Sequence, residues 1–413
     1  MLSILYSTTL YLPGPAPPPW RFDTVSALIG AATALLLTGL AYRYRDTLRQ
    51  GGEAIAAPLK QLYDRMEASV EDRYRELIAA RARSLLIPTP VTLDDVFIEP
   101  TLLASAPPPQ STSAAESPST TLQDVPLRGL LKGHPKLAIL SDPGAGKTTL
   151  LAYIALAYAH ATRETREGNK SEPATRLEID RERLPLYVFL PTIDWNEKTS
   201  NDERDQASDA TPGIDELLNA ATAIVKGSRG MTRRLRQYLE AGRAIVLADG
   251  WDTLSPQQRQ PAAAWLNELI NALPGNLWLV GTGTRGYAPL TEIGFVPLTL
   301  GAWNTRQVEQ FAKRRIQAHA SEAGGQVSPL TTRKLTTQLR RAIQKRESPL
   351  ELALRAFVYL STDQSPAQRS SLFDRAFDLL LPPEEQTWSP QTCRSVLGQL
   401  ALSLQQEDRV IAD

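Results

Sequence analysis

Residues Ile139 to Leu151 read ILSDPGAGKTTLL, and their types and spacing suit one piece of chemistry. An apolar run breaks into Pro143, Gly144 and Gly146. Lys147, Thr148 and Thr149 come next, and a helix-like apolar stretch follows. A glycine-rich turn between a strand and a helix aims several backbone N–H groups and the positive end of the helix at one point, and such a point holds phosphate. Asp142, Pro143, Gly144, Ala145, Gly146, Lys147, Thr148 and Thr149 are therefore the candidate cradle. Lys147 would reach the β- and γ-phosphates, and the Thr148 hydroxyl would ligate Mg²⁺. The usual pattern starts with a glycine at the position that Ser141 fills here.

Two more stretches fit the same chemistry. AIVLADGWDTL puts Asp249 at the end of an apolar run, where a carboxylate suits Mg²⁺ directly or through water. Asp252 is then a candidate to orient or activate an attacking water. LWLVGTGTRGY puts Arg285 just beyond another strand end, on the side where α/β folds bind ligands. There it could contact a γ-phosphate; an ordinary surface arginine is the alternative. The candidate catalytic set is Asp249, Asp252 and Arg285, the metal set is Thr148 and Asp249, and the implied cofactors are ATP and Mg²⁺.

The elements that must position these residues are legible as short apolar runs: LAIL (137–140), LYVFL (186–190), AIVLA (244–248), LWLVGT (277–282) and FVPLTL (295–300). Helix-like segments alternate with them, which predicts a mostly parallel sheet with helices on both faces, an α/β fold. From about Gly301 onward the strand signal stops and the chain reads as helices only.

The N-terminal region is different. Val25 to Ala41 carries no charge, and Thr24 to Tyr42 would make about 28 Å of helix, close to one hydrocarbon core. Trp20, Phe22, Tyr42 and Tyr44 flank it, and Arg43, Arg45, Arg49 and Lys60 follow it, which puts the C-terminal side in the cytoplasm. A cleaved signal peptide fits less well, because no basic stretch opens the chain. A buried helix of a globular domain is the remaining alternative. Pro58 to Ile87 reads as one helix with an apolar stripe of Leu59, Leu62, Met66, Val70, Tyr74 and Leu77, with Glu67, Glu71, Arg73 and Arg75 on the other faces. Packing on its own domain and pairing with other copies are both open readings. Residues 104–120 are rich in Pro, Ser, Ala and Thr and read as a linker, and Asn196 to Gly213 reads as a surface loop.

The expected organisation is an extracytoplasmic tail (1–23), a transmembrane helix (24–42), a juxtamembrane helical region (43–103), a disordered linker (104–124), a nucleotide-binding domain (125–300), and a helical subdomain leading towards a winged-helix-like region (301–413).

Bulk composition narrows the partners. The 413 residues correspond to two or three folded units, and 42% apolar content sustains a packed core. Lys plus Arg and Asp plus Glu both number 45, so no strong basic field favours nucleic acid, and no nucleic-acid partner is expected. Cys393 is the only cysteine, which excludes a disulfide framework within one chain. His134, His160 and His319 lack ligand spacing.

Together these motifs resemble the NACHT-type ATPases of the STAND class. The family has a small residue directly after the Mg²⁺ aspartate and then further acids; DGWDT supplies Asp249, Gly250 and Asp252, with Thr253 in place of the second acid. GTR resembles the family's sensor segment, with Arg285 matching its arginine. LPLYVFLPTIDW resembles the second-strand region. ESPLELALRAFVYL resembles the helical motif whose proline lies near the adenine, here Pro349, and SSLFDRAFDLLL resembles the helix that leads into a winged helix. The resemblance covers about residues 125–405. It implies an ATP/ADP switch that hydrolyses slowly, self-associates into a homo-oligomer on activation, and acts in bacterial signalling or antiviral defence at the inner face of the cell membrane, with no trigger named. Two alternatives are a scaffold with a degenerate nucleotide site and a constitutive ATP-driven enzyme. LSPQQRQ (254–260) is superficially like a transporter signature, but it lacks the glycines and follows Asp249.

One expectation is checked by topology. Protease added outside intact cells should spare the Lys147 domain, and cleavage there would overturn the single-pass orientation with the N-terminus outside.

Overall fold

The computed structural model describes residues 70–83, 91–105, 122–127, 130–167, 177, 179–180, 182–195, 213–225, 229–323, 328–380 and 389–406. All lie in one compact unit, residues 68–413. The tail, the 24–42 segment, residues 106–121 of the expected linker and residues 196–212 of the expected loop are outside the described residues. Among the described residues, no helix is long and apolar enough to cross a membrane.

Seven strands form one sheet. They are β1 (Leu102–Ser105), β2 (Leu122–Val125), β3 (Lys136–Leu140), β4 (Leu184–Phe189), β5 (Ala244–Asp249), β6 (Leu277–Thr282) and β7 (Val296–Leu300). Their spatial order is β2-β1-β7-β3-β6-β5-β4. The five from β7 to β4 are parallel, and β1 is antiparallel to both of its neighbours. Every residue of β5 and β6 is buried, as expected of parallel strands covered on both faces. The expected parallel α/β sheet is thus present. Its order places β6 between β3 and β5, so the three chemical stretches of the sequence emerge side by side at the C-terminal ends of neighbouring parallel strands.

Helices fill the connections: α1 (70–83), α2 (Leu93–Val96), α3 (Leu130–Gly133), α4 (Lys147–Glu167), α5 (Ile214–Val225), α6 (Arg229–Glu240), α7 (Pro256–Ala272) and α8 (Ala288–Glu292). After β7 only helices follow: α9 (Thr305–Ala323), α10 (Pro329–Gln344), α11 (Pro349–Thr362), α12 (Arg369–Leu380) and α13 (Pro390–Gln406). The helical part has its own core, which includes Val308, Phe311, Leu335, Leu339, Leu352 and Tyr359.

Three expectations change. The domain does not begin at residue 125. Leu102 pairs with Val125 on one side and with Leu300 on the other, so β1 and β2 extend the sheet edge. Strands of four residues are too short to show a period, and their pairing is long-range. The segment from 91 to 105 likewise leaves the expected juxtamembrane region: Leu93 and Phe97 join the sheet's core, and Val91, Val96 and Ile98 join the helical core.

The third concerns the charges of α1, a helix for which packing on its own domain is one of two open readings. It packs on its own domain: Tyr74 is 1% exposed and its hydroxyl donates to the Pro185 carbonyl at 2.9 Å. Glu71 and Arg75, which the sequence puts on faces other than the apolar stripe, are buried as well. They are tolerated because they satisfy each other. Arg75 donates to Glu71 Oε1 through Nε and Nη2 at 3.1 and 3.0 Å. Arg234 Nη2 and the Tyr238 hydroxyl donate to Oε2 at 2.9 and 2.8 Å. Arg75 Nη1 also donates to the Tyr158 carbonyl at 2.7 Å, which fastens α1 to both α4 and α6.

Burial alone would raise the Glu71 pKa. The Arg75 charge and the bonds from Arg234, Tyr238 and Arg75 outweigh it, and the net shift is downward from 4.5. A depressed folded-state pKa contributes stability that is fully present above the ordinary carboxylate pKa and lost as pH falls through the folded value. Glu71→Ala removes the acceptor that Arg75, Arg234 and Tyr238 share, so it should cost about 3–5 kcal/mol at pH 7. The gap from wild type, measured by denaturant unfolding, should narrow below about pH 4.5.

Candidate functional site

The loop between β3 and α4 is built as its sequence suggests. Gly144 and Gly146 have φ of 80° and 105°, a region that side chains with a Cβ rarely adopt. Ser141 does not share it: the residues other than glycine with positive φ are Arg346 and Asp363, among the described residues. No glycine is therefore required at the loop entry. Ser141 instead donates its N–H to the Thr282 carbonyl at 3.2 Å, tying the loop root to β6.

Lys147 is less free than an exposed phosphate ligand would be. Its side chain is 8% exposed, with Nζ 3.2 Å from Asp252 Oδ2. Nζ also donates to the Ser141 carbonyl at 2.9 Å. The side chain has folded back over the loop and holds its charge at the mouth of the cradle. Asp252 is 27% exposed, so water screens this pair.

Asp249 sits at the end of β5 and is 4% exposed. Tyr187 donates to Oδ2 at 2.7 Å, and the Gly250 N–H donates to Oδ1 at 3.0 Å. A Cβ on Gly281, in the adjacent strand β6, would lie 2.9 Å from Oδ1. Among the described residues no cationic side chain bonds Asp249. A carboxylate has about four acceptor sites, and two donors leave room for a cation or its water. Gly250 is required twice over. Its φ is 85°, and a Cβ would lie 2.7 Å from Phe189 Cε2 and 2.8 Å from Pro191 Cδ. The small residue after the aspartate is thus a packing need imposed by the end of β4.

Thr253 does not face the cradle as an acid substitute. Its hydroxyl donates to the Gly250 carbonyl at 2.7 Å and closes the short 3-10 turn Trp251–Thr253. That turn is what carries Asp252 towards Lys147.

Other expected residues fall unevenly. Pro349 lines the cavity and opens α11. Thr148 and Thr149 line it too. Asp142 and Pro143 stand on the outer shoulder, exposed, where Asp142 Oδ1 accepts from Thr284 at 3.1 Å. Arg285 is exposed and makes no hydrogen bond or ion pair among the described residues; Thr284 is the residue of that loop that touches the cradle.

The cavity has a volume of about 260 Å³. Residues 144–150 form one side, and Phe97, Ile98, Trp303, Phe311 and Pro349 are among those that close the others. A phosphate at the amide end and a flat apolar group between these walls fit its two chemistries. Sequence reading missed Phe97, Ile98, Trp303 and Phe311 as walls, and Tyr187 as the partner of Asp249. The short apolar run Val96, Phe97 and Ile98 was the signal available for the first of these.

A parallel sheet in this order, a glycine loop from strand to helix holding Lys147, and a buried aspartate on a strand one removed define a P-loop NTPase fold. No protein-family model and no curated protein matches the chain. Similar solved structures include PCH-2 of C. elegans, at 11% identity over 59% of this chain and 60% of that one, with a TM-score of 0.29. The E. coli MS115-1 HORMA:CdnC:Trip13 complex matches at 14% over 63% and 76%, with a TM-score of 0.30. The Aeropyrum pernix ORC1 protein in complex with DNA matches at 15% over 65% and 77%, with a TM-score of 0.27. The match thus spans 60% of the length of the first. At these TM-scores the likenesses carry no argument, and the fold assignment rests on strand order and loop geometry.

Gly250→Ala should lower stability by about 2–4 kcal/mol, combining a left-handed backbone with overpacking. Chemical denaturation reads this directly; a loss below about 0.5 kcal/mol would contradict the geometry at Phe189 and Pro191.

Proposed function

We propose that this chain is an ATP-binding switch of the NACHT/STAND kind, held at the inner face of a membrane by its 24–42 segment. The observation that carries the reading is the double wall of the cavity. One wall is the phosphate loop, and the other is the start of the helical part. Leu350 donates its N–H to the Gly144 carbonyl at 3.0 Å, so the first turn of α11 rests on the loop that would hold phosphate. A ligand between them contacts both parts and biases their relative position.

In this reading Lys147 leaves Asp252 for the β- and γ-phosphates, and Thr148 and Asp249 hold Mg²⁺, which neutralises charge on the phosphate oxygens. Asp252, once freed, orients or deprotonates water. Turnover is slow because Asp252 is the only acid of the turn, and the Thr253 hydroxyl beside it is committed to the Gly250 carbonyl. Occupancy would keep the helical part closed, and exchange would let it open and self-associate, in signalling or defence.

Lys147→Ala should weaken ATP binding by about 10–150-fold, the worth of one charge-assisted bond of about 1.5–3 kcal/mol. It should not unfold the domain, because its partner Asp252 keeps access to water. Asp252→Asn should lower turnover by about 10²-fold or more with affinity retained or improved, since Lys147 loses its competing partner. Calorimetric titration and steady-state phosphate release read the two. A wild-type protein that binds no ATP would favour a scaffold, and turnover of tens per second would favour a motor.

A further inference from the structure

Tyr187 has no place in the sequence motifs, yet it makes the shorter of the two bonds to Asp249. Phe189 pairs with Asp249 across the parallel strands β4 and β5. Residues two apart share a strand face, and at about 3.3 Å per residue the Tyr187 phenol runs forward along that face to Asp249 Oδ2. Tyr187 is 7% exposed, and its hydroxyl donates to that oxygen at 2.7 Å.

The company Asp249 keeps is unusual for this molecule. Buried Glu71 is met by Arg75 and Arg234. Glu347 is met by Arg355, through Nε and Nη2 at 3.0 and 2.7 Å. Asp249 alone of these has only neutral donors, a phenol and a backbone amide. The nearby cation, Lys147, is engaged by Asp252 instead. Neutral donors fix the direction of a carboxylate without cancelling its charge.

We infer that Tyr187 is a positioning residue for a divalent cation, fixing the Asp249 carboxylate at Oδ2 so that its remaining acceptor sites meet the metal bound with a nucleoside triphosphate. This rests on the phosphate-loop reading above. Gly281 serves the same carboxylate by leaving space for Oδ1. The end of β4 thus acts on both sides of the acidic turn: Tyr187 on Asp249, and Phe189 with Pro191 against Gly250.

The test is a Mg²⁺ titration of ATP binding, followed with a fluorescent ATP analogue on the full chain. Tyr187→Phe keeps the ring and removes only the hydroxyl; circular dichroism checks its fold. The Mg²⁺ midpoint should rise about tenfold, the lower end of what outer-shell partners of a metal contribute. Affinity for the analogue in EDTA should stay within about twofold of wild type, since the amide cradle and Lys147 are untouched. The double variant Tyr187→Phe/Asp249→Asn should be no worse than Asp249→Asn alone, because Tyr187 acts only through that carboxylate. A folded Tyr187→Phe protein with an unchanged Mg²⁺ midpoint overturns the inference, as does additive loss in the double variant. Gly281→Ala, which crowds Oδ1 from the other side, should raise the midpoint even if Tyr187→Phe fails to fold, and an unchanged midpoint there would count against a positioned carboxylate. Wild-type protein that binds the analogue with no Mg²⁺ dependence defeats the metal assignment itself, a different failure from that of Tyr187.

Discussion

A carboxylate held in the sheet, whose hydrogen-bond donors among the described residues are a phenol and an amide, is the constraint around which the site is arranged. Burying an ionised group costs several kcal/mol unless something compensates, and Asp249 has only a phenol and an amide. Such a group is weak evidence for stability, and its open acceptor sites are free for a ligand. Its neighbours are fitted to that end. Gly281 leaves the space that a side chain would take, Gly250 turns the chain in a left-handed conformation, and the turn that follows delivers Asp252 to Lys147. The ion pair that results is lapped by water, so it can be exchanged for a phosphate at little cost.

The phosphate loop is also where the two halves of the described molecule meet. The first turn of a helix has N–H groups with no partner inside the helix. In α11 each is accounted for. Pro349 has no N–H, Leu350 donates to Gly144, and Glu351 donates to the Ser348 side chain at 3.3 Å. The Glu351 carboxylate in turn accepts from the Ser348 N–H at 2.6 Å, completing a capping box. The loop carbonyl therefore does the work of a cap for the helical part. A change in loop conformation would leave a helix donor without a partner, which is a local and directional way for one half to register the state of the other.

How much of this was legible in the sequence depended on how local each cause is. The five parallel strands were readable because fully buried strands appear as continuous apolar runs. The loop was readable because its turn chemistry is confined to a few consecutive residues. Glu71 and Arg75 were not, since their burial depends on Arg234 and Tyr238, more than 150 positions away. Strands β1 and β2 were hidden for the same reason: Leu102 owes its place to Leu300 and Val125. Within the site, the aspartate and the lysine were visible as motif residues. Tyr187 was not, because only the strand register puts a β4 phenol beside a β5 carboxylate. Thr253 was read as a missing acid, whereas its hydroxyl closes the turn that presents Asp252.

The segment from Val91 to Pro100 decides how the helical part could move. Its residues divide between the two cores, Leu93 and Phe97 with the sheet and Val91, Val96 and Ile98 with the helices. Phe97 is stacked on Tyr153 of α4, with ring centroids 3.5 Å apart. The backbone of the same segment is held by the helical part: Arg314 donates to the Phe97 carbonyl at 2.7 Å, and Gln307 donates to the Glu99 carbonyl at 2.8 Å. The helices cannot swing away without either breaking these bonds or lifting Phe97 from Tyr153. An aromatic pair of this kind is worth about 0.5–1.5 kcal/mol beyond its buried area, and the two bonds are worth a similar amount each. In the proposed switch, opening would be opposed by about 1–3 kcal/mol from these contacts before any ligand is considered, a range in which differential binding could reverse a two-state equilibrium. Because Phe97 and Ile98 also line the cavity, the seam that resists opening is the same surface a bound base would touch.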